Sequence, residues 1–342
     1  MLMRLVESGT LPDPVVRLGI RHLLRRRLRE EHRRRRDAAA LRTSAATPDE
    51  RIAIATDRAN EQHYELPPEF FELILGPRLK YSCCLWDDTT AGLAEAEEAM
   101  LELTAQRAGV RNGLTVLDLG SGWGSFGLWV AERFPGCRVT TVSNSAPQQQ
   151  FIARQARARG LDNVETIRAD INRFAPARRW DRIVSVEMFE HVRDHRTLLD
   201  RIARWLEADG LLFVHHFCHR ELEYTYEIRD ETDWMARYFF TGGVMPSFDM
   251  LARVGDPLAV ERSWRVSGWH YARTLRAWLA RLDASSERAL DLLRGHYGAA
   301  SARTWFVRWR LFLLACAELF EFRGGNEWLV AHHLLRRRGE TS

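Results

Sequence analysis

Lysine is all but missing from this 342-residue chain. Lys80 is the only one, and the rest of the 50 residues that are Lys or Arg are arginine. That bias reads as a GC-rich genome more than as function. Cysteine is scarce too: five, an odd number, thinly spread. This argues against a disulfide framework and fits a reducing compartment, so the cytoplasm is the expected location. No apolar run reaches the ~18 residues of a membrane span. No short apolar core followed by a small-residue cleavage site marks a secretory leader. No Cys/His cluster has zinc-ligand spacing, so no metal site is expected. No stretch repeats another. What is present, 46% hydrophobic and 28% charged residues, is the composition of a soluble globular protein with a large core and room for two domains.

The chain is organised around Val116-Leu117-Asp118-Leu119-Gly120-Ser121-Gly122-Trp123-Gly124-Ser125. The apolar run 115–119 predicts a buried strand, and 126–134 reads as a helix. Alternate glycines between them allow a tight turn and let a ligand lie against bare main chain. A G-x-G-x-G run alone also suits an ordinary strand–turn–helix corner. Asp118 shifts the balance. Dinucleotide folds usually have an apolar residue there, whereas D-x-G-x-G-x-G resembles the class I S-adenosylmethionine (SAM) methyltransferases.

The surrounding pattern agrees. Strands at 115–119, 138–142, 164–169, 181–186 and 211–217 alternate with helices at 147–159 and 197–206, which predicts a doubly wound, mostly parallel α/β sheet. The class I fold implies seven strands, Rossmann-like, the last at 327–335. A helix is expected at 95–108. From about residue 220 the pattern breaks into aromatic-rich segments and long helices at 271–281 and 304–320, read as a mainly helical substrate cap around 220–320. Ahead of the domain, which spans 59–335, lies a basic helical extension, 1–58. Ten arginines fall between Arg17 and Arg36, with Val16, Ile20, Leu23, Leu24 and Leu28 at helical spacing among them. Such a helix can lie on an anionic membrane. Packing on its own domain with a solvated arginine face is favoured, because the apolar stripe is narrow. No recognition motif accompanies the charge, so no nucleic-acid partner is expected.

SAM needs three contacts that side chains can supply. Gly120, Gly122 and Gly124 would lie under its methionine end, with Asp118 beside them. At the end of the second strand the usual ribose carboxylate is missing, and Asn144 and Gln148 can act as neutral partners. Asp170 follows the third strand and suits the adenine amino group, with Ile171 against the ring. Either residue could instead be a helix cap or core filler. The fourth strand runs into Ser185-Val186-Glu187-Met188-Phe189-Glu190-His191, two carboxylates and an imidazole at the carboxyl edge where ligands bind. Capping glutamates at an exposed helix start are the plain alternative. Met188 and Phe189 favour a half-buried segment whose groups shift one another's pKa, as general-base work requires.

Tyr81-Ser82-Cys83, Gly120-Ser121-Gly122-Trp123-Gly124 and Met188-Phe189-Glu190-His191-Val192 resemble the cyclopropane-fatty-acyl-phospholipid synthase family of SAM enzymes, over roughly residues 60–335. Longer stretches resemble its coclaurine N-methyltransferase-like branch. These are His63-Tyr64-Glu65-Leu66-Pro67, Val214-His215-His216-Phe217-Cys218-His219, Arg237-Tyr238-Phe239-Phe240-Thr241-Gly242-Gly243 and Gly325-Asn326-Glu327-Trp328-Leu329-Val330-Ala331-His332. Pro12-Asp13-Pro14-Val15-Val16-Arg17 does so as well. The resemblance adds Tyr81 and Ser82 to the cofactor contacts. For the synthases it implies a bound bicarbonate as base, held by groups matching Cys83, Glu190, His215 and Tyr271. For the N-methyltransferase branch it implies a protein base in a Glu-x-x-Glu-His pattern, matching Glu187, Glu190 and His191. Both signatures are present.

The expected activity is therefore SAM-dependent methyl transfer to the nitrogen of a small amine. Glu187 would bind the cation, His191 would take the proton, and Trp234, Tyr238, Phe239 and Phe240 would line the pocket. The runner-up is methylene transfer to an unsaturated phospholipid acyl chain, with 17–36 as a peripheral contact at the inner membrane surface. A homodimer is an expectation that nothing in the sequence fixes.

Overall fold

The computed structural model describes residues 2–41, 66–228 and 233–338. The end of the expected N-terminal extension, its boundary with the domain, and His63, Tyr64 and Glu65 lie outside them.

Helices α1 (Leu2–Glu7), α2 (Asp13–Leu41), α3 (Pro68–Ile74) and α4 (Leu93–Ala108) precede the sheet. Then β1 (Thr115–Leu119), α5 (Ser125–Arg133), β2 (Arg138–Ser143), α6 (Ala146–Ala158), β3 (Val164–Arg168), β4 (Trp180–Val186), α7 (His195–Trp205) and β5 (Leu206–His219) alternate as expected. The seven strands run in the order β3-β2-β1-β4-β5-β9-β8, where β8 is Leu258–Val266 and β9 is Trp328–Arg337. Strands β1 to β5 are parallel, and β9 is antiparallel to both its neighbours. Helices cover both faces, so β1 is buried from Val116 to Leu119, which is why it reads as an unbroken apolar run. The order reverses between β1 and β4. That opens a crevice at their carboxyl ends, into which the glycine loop and Glu187 project.

The region 220–320 is mainly helical, as expected, but it is not one continuous cap, because β8 crosses it and joins the main sheet. It divides into 220–257, with β6 (Tyr224–Thr225), α8 (Trp234–Tyr238), β7 (Val244–Met245) and α9 (Met250–Val254), and a second part. That part holds α10 (Gly268–Ala284), α11 (Ser286–Tyr297) and α12 (Ala299–Gly325). Strand β8 is an edge strand with exposed Glu261, Arg262 and Ser263, and its register shifts between Val260 and Arg262. Charge and a bulge blunt such an edge, and they also erase the alternation by which a strand is recognised.

Helix α2 packs on its own domain. Val16, Ile20, Leu24 and Leu28 lie against the largest core cluster. Arg17 Nη1 lies 2.7 Å from Glu318 Oε1, and Arg21 pairs with the other oxygen of this fully buried carboxylate. Glu7 of α1 accepts from Trp234 Nε1 (2.9 Å) and Arg308 Nε (2.9 Å), and Arg27 Nη2 reaches Asp233 at 3.1 Å. The N-terminal helices thus strap down the segment around α8.

Candidate active site

The glycine loop has the geometry its sequence requires. Gly120, Gly122 and Gly124 adopt φ of +82°, +51° and +80°. The amides of Gly120 and Ser121 donate to the Val142 carbonyl at 2.9 and 3.0 Å, tying the loop to the end of β2. A Cβ on Gly120 would stand 2.7 Å from Met188 Cγ, and one on Gly124 2.6 Å from Ile152, so both glycines are needed for packing. A Cβ on Gly122 would meet nothing within 4 Å: the space above it is open. Asp118 Oδ2 accepts from the Gly127 amide at 3.0 Å, fastening α5 to β1, and burial raises its pKa to about 7.

The ends of β2 and β3 carry the remaining expected contacts. Gln148 Oε1 accepts from Ser143 Oγ at 2.8 Å, while its buried Nε2 has no partner among the described residues. Asn144 is half-buried beside it, its carbonyl accepting from Arg168 Nε at 3.2 Å. Asp170 Oδ1 accepts from Asn172 N (2.9 Å) and Nδ2 (3.0 Å), which shapes the turn after β3, and Ile171 packs on the core beneath. On the loop before α4, Tyr81 sits between Phe71 and Trp278, each at 5.5 Å. Buried Ser82 accepts from Lys80 Nζ. The chain's only lysine is thus a buried cation beside a proposed cofactor contact. Its rarity, between apolar Leu79 and Tyr81, was the available signal, and composition alone hid it. A bare backbone cradle, an orphaned amide donor and a buried cation fit a ligand with a ribose and a carboxylate.

Glu187 is the centre of the candidate catalytic cluster. It follows β4 with φ +48°, a conformation costly for a residue with a side chain and characteristic of functional sites. Its amide donates to His215 O at 2.8 Å, which continues the β4–β5 pairing and fixes the turn. The side chain, 11% exposed, is ringed by donors. Oε1 accepts from the Cys83 amide at 3.0 Å, and Oε2 from the Tyr271 hydroxyl at 2.5 Å. His215 Nε2 lies 3.3 Å from Oε1 without a formed hydrogen bond. Three of the four groups matched to a bicarbonate cage, Cys83, His215 and Tyr271, therefore surround the Glu187 carboxylate. The fourth, Glu190, is fully buried, accepts from the Phe217 amide at 2.7 Å through Oε1, and leaves Oε2 without a partner among the described residues. Burial, reinforced by the Glu187 charge, pushes its pKa well up, so Glu190 stands as a neutral acid. His191 is half-buried next door. Desolvation lowers its pKa to about 4 against the pull of Glu187, so its imidazole is neutral. Burial also raises the Cys83 thiol, which donates to Cys84 O and is no nucleophile.

The aromatic lining differs from expectation. Phe239 is fully buried and stacks on Phe312 at 4.5 Å. Trp234 bonds Glu7, and Tyr238 lies under Arg308 at 3.9 Å. Of the four expected residues only Phe240 stands beside His191, at 5.0 Å. Its ring rests on Gly243, where a Cβ would sit 2.1 Å from Phe240 Cε1. Phe217 and Tyr226 close around it, and Phe320 stacks on Tyr271 at 4.4 Å. These come from four separate segments, so no local pattern could group them.

The family model for mycolic acid cyclopropane synthetase matches residues 53–328. The (S)-coclaurine N-methyltransferase of Thalictrum flavum subsp. glaucum is 37% identical over 98% of this chain and 95% of its own. The cyclopropane-fatty-acyl-phospholipid synthase of Escherichia coli K12 is 30% identical over 79% of this chain and 66% of its own. The crystal structure of a coclaurine N-methyltransferase bound to N-methylheliamine and SAH superposes with a TM-score of 0.90 at 36% identity, covering 98% of this chain and 99% of that one.

Proposed function

We propose that this chain, which belongs to the mycolic acid cyclopropane synthetase family and is a SAM-dependent methyltransferase, methylates the nitrogen of a small amine. The observation that carries this is the Glu187 carboxylate, held by the Cys83 amide and the Tyr271 hydroxyl with neutral His191 beside it. An amine reaches the site as an ammonium ion and must lose a proton before its nitrogen can attack. Glu187 supplies the negative charge that draws the cation in, and Phe240 a ring face for it. His191 has a free lone pair to take the proton. Burial lowers the pKa of imidazolium and of ammonium alike, and Glu187 raises both, so the transfer between them is better matched than the separate values suggest. SAM, when bound over the glycine loop, supplies the electrophilic methyl. Gly120–Gly124, Ser82 with Lys80, and Gln148 would hold it.

Because Glu187 stands within the group of residues matched to a bicarbonate cage, the base belongs to the protein in this reading and no bound bicarbonate is invoked. A phospholipid substrate has one observation in its favour. The outer face of α2 exposes Val15, Leu18 and Leu23, followed by Arg25, Arg29, Arg33 and Arg36. Methyl-labelled SAM offered with (S)-coclaurine, and separately with anionic liposomes carrying unsaturated chains, tests the assignment. Label is expected in the amine. Label in the lipid alone would overturn it.

A further inference from the structure

Behind Glu187 runs a line of hydrogen bonds that local sequence does not reveal. Strands β5 and β9 pair so that His215 stands directly opposite His332. His332 Nε2 lies 2.9 Å from His215 Nδ1, and Arg107 Nη1, near the end of α4, lies 2.7 Å from His332 Nδ1. The Arg107 guanidinium is itself held over the Trp264 ring at 4.8 Å. Both histidines are fully buried.

The direction of this line follows from its first member. A guanidinium has donors and no acceptor. His332 Nδ1 must therefore be the bare nitrogen, and its proton must be on Nε2. That proton goes to His215 Nδ1, which leaves the His215 proton on Nε2, facing Glu187 Oε1 across 3.3 Å. Burial disfavours the charged form of both imidazoles; at His215 the Glu187 carboxylate pulls the other way, but burial outweighs it, and the Lys80 and Arg107 cations act with burial, so both pKa values are lowered and the neutral forms are favoured. The line is not a proton wire, because a proton passed outward from Glu187 would end on a group with no lone pair to receive it.

We propose that Arg107 and His332 are positioning residues that lock His215 as an N–H donor to Glu187. His215 is then a third donor to the carboxylate, beside the Cys83 amide and the Tyr271 hydroxyl, and is barred from acting as a base. Proton removal is left to His191. Only the turnover measured below depends on the amine assignment; the tautomers do not.

Selective ¹⁵N-histidine labelling of the full chain and long-range ¹H–¹⁵N correlation reads the tautomers directly. His215 and His332 are expected to show protonated Nε2 and bare Nδ1 in the wild type. Protonated Nδ1 on His215 would overturn the lock whatever the substrate. In Arg107→Met the direction is no longer imposed, so the His215 pattern should become mixed. With (S)-coclaurine as probe amine, kcat should fall ~10-fold, the lower end of the range known for outer hydrogen-bond partners of a site histidine, while KM for SAM stays put. Arg107→Lys keeps a donor-only cation and should recover the wild-type pattern. An Arg107→Met protein with unchanged tautomers also refutes the proposal. If that variant does not fold, the wild-type spectrum still decides.

Discussion

Replacing Glu187 by glutamine keeps the size of the side chain and removes its charge. The amide must turn either its oxygen or its NH₂ towards each of two donors, the Cys83 amide and the Tyr271 hydroxyl. A phenol can rotate and accept, so the pocket survives the change. What is lost is the attraction for an ammonium ion. Two unit charges ~4 Å apart at an effective dielectric constant of ~20 attract by about 4 kcal/mol. Glu187 is 11% exposed, so solvent takes back part of this. A fall of ~10²- to 10³-fold in kcat/KM for the amine substrate is expected, at about 1.4 kcal/mol per factor of ten. Steady-state kinetics with labelled SAM measures it, alongside SAM affinity by calorimetry, which should be unchanged. Glu187→Ala extends the test, because it leaves the Cys83 amide, Tyr271 and His215 facing an open space of carboxylate size. Added formate should then restore part of the rate. A folded Glu187→Gln enzyme within about threefold of wild type would show that the carboxylate does not hold the substrate.

Three further outcomes are expected. Gly122→Val puts a side chain into the open space over the loop and forces a β-branched residue to φ +51°, so SAM binding should be lost with the fold retained; unchanged affinity by calorimetry would mean the cofactor lies elsewhere. Eight buried or half-buried histidines (His191, His195, His215, His216, His219, His270, His332 and His333) have lowered pKa values, so each adds stability that is full above ~6.5 and is lost as pH falls towards 4. Glu97, Asp118 and Glu190 are raised and act in the opposite sense, but they are three against eight, so the melting temperature should fall between pH 6.5 and 5; a flat profile would contradict this. Arg17→Ala with Arg21→Ala strands the buried Glu318 carboxylate and should cost ~2–3 kcal/mol by denaturant titration, with Glu318→Gln recovering part of it, and no recovery would mean the arginines act through packing alone.

Much of the fold was legible because the parallel strands are buried on both faces and carry continuous apolar runs. The apolar run of β1 coincides with the strand residue for residue, and those of β2 to β4 coincide to within one residue at either end. Strand β8 leaves no such pattern, since an exposed edge with Glu261, Arg262 and Arg265 looks like loop until β9 is beside it. The same divide runs through the site. Glu187, Glu190 and His191 lie within one short segment and could be read as a group. The contact between His215 and His332 depends on a register set across more than a hundred residues, and local periodicity carries no trace of it. Trp234, Tyr238 and Phe239 have the chemistry of pocket lining, but α1 and the packing of α12 claim them instead.

The tethering of the Glu187 carboxylate has a consequence for how the enzyme meets its surroundings. An anion borrowed from solution has to be captured in every resting molecule, and its occupancy follows the dissolved supply. A carboxylate anchored at the end of β4 has an effective concentration far above that of any free solute, and it carries no binding equilibrium of its own. Catalysis resting on Glu187 should therefore proceed at one rate in air and in buffer purged of carbon dioxide.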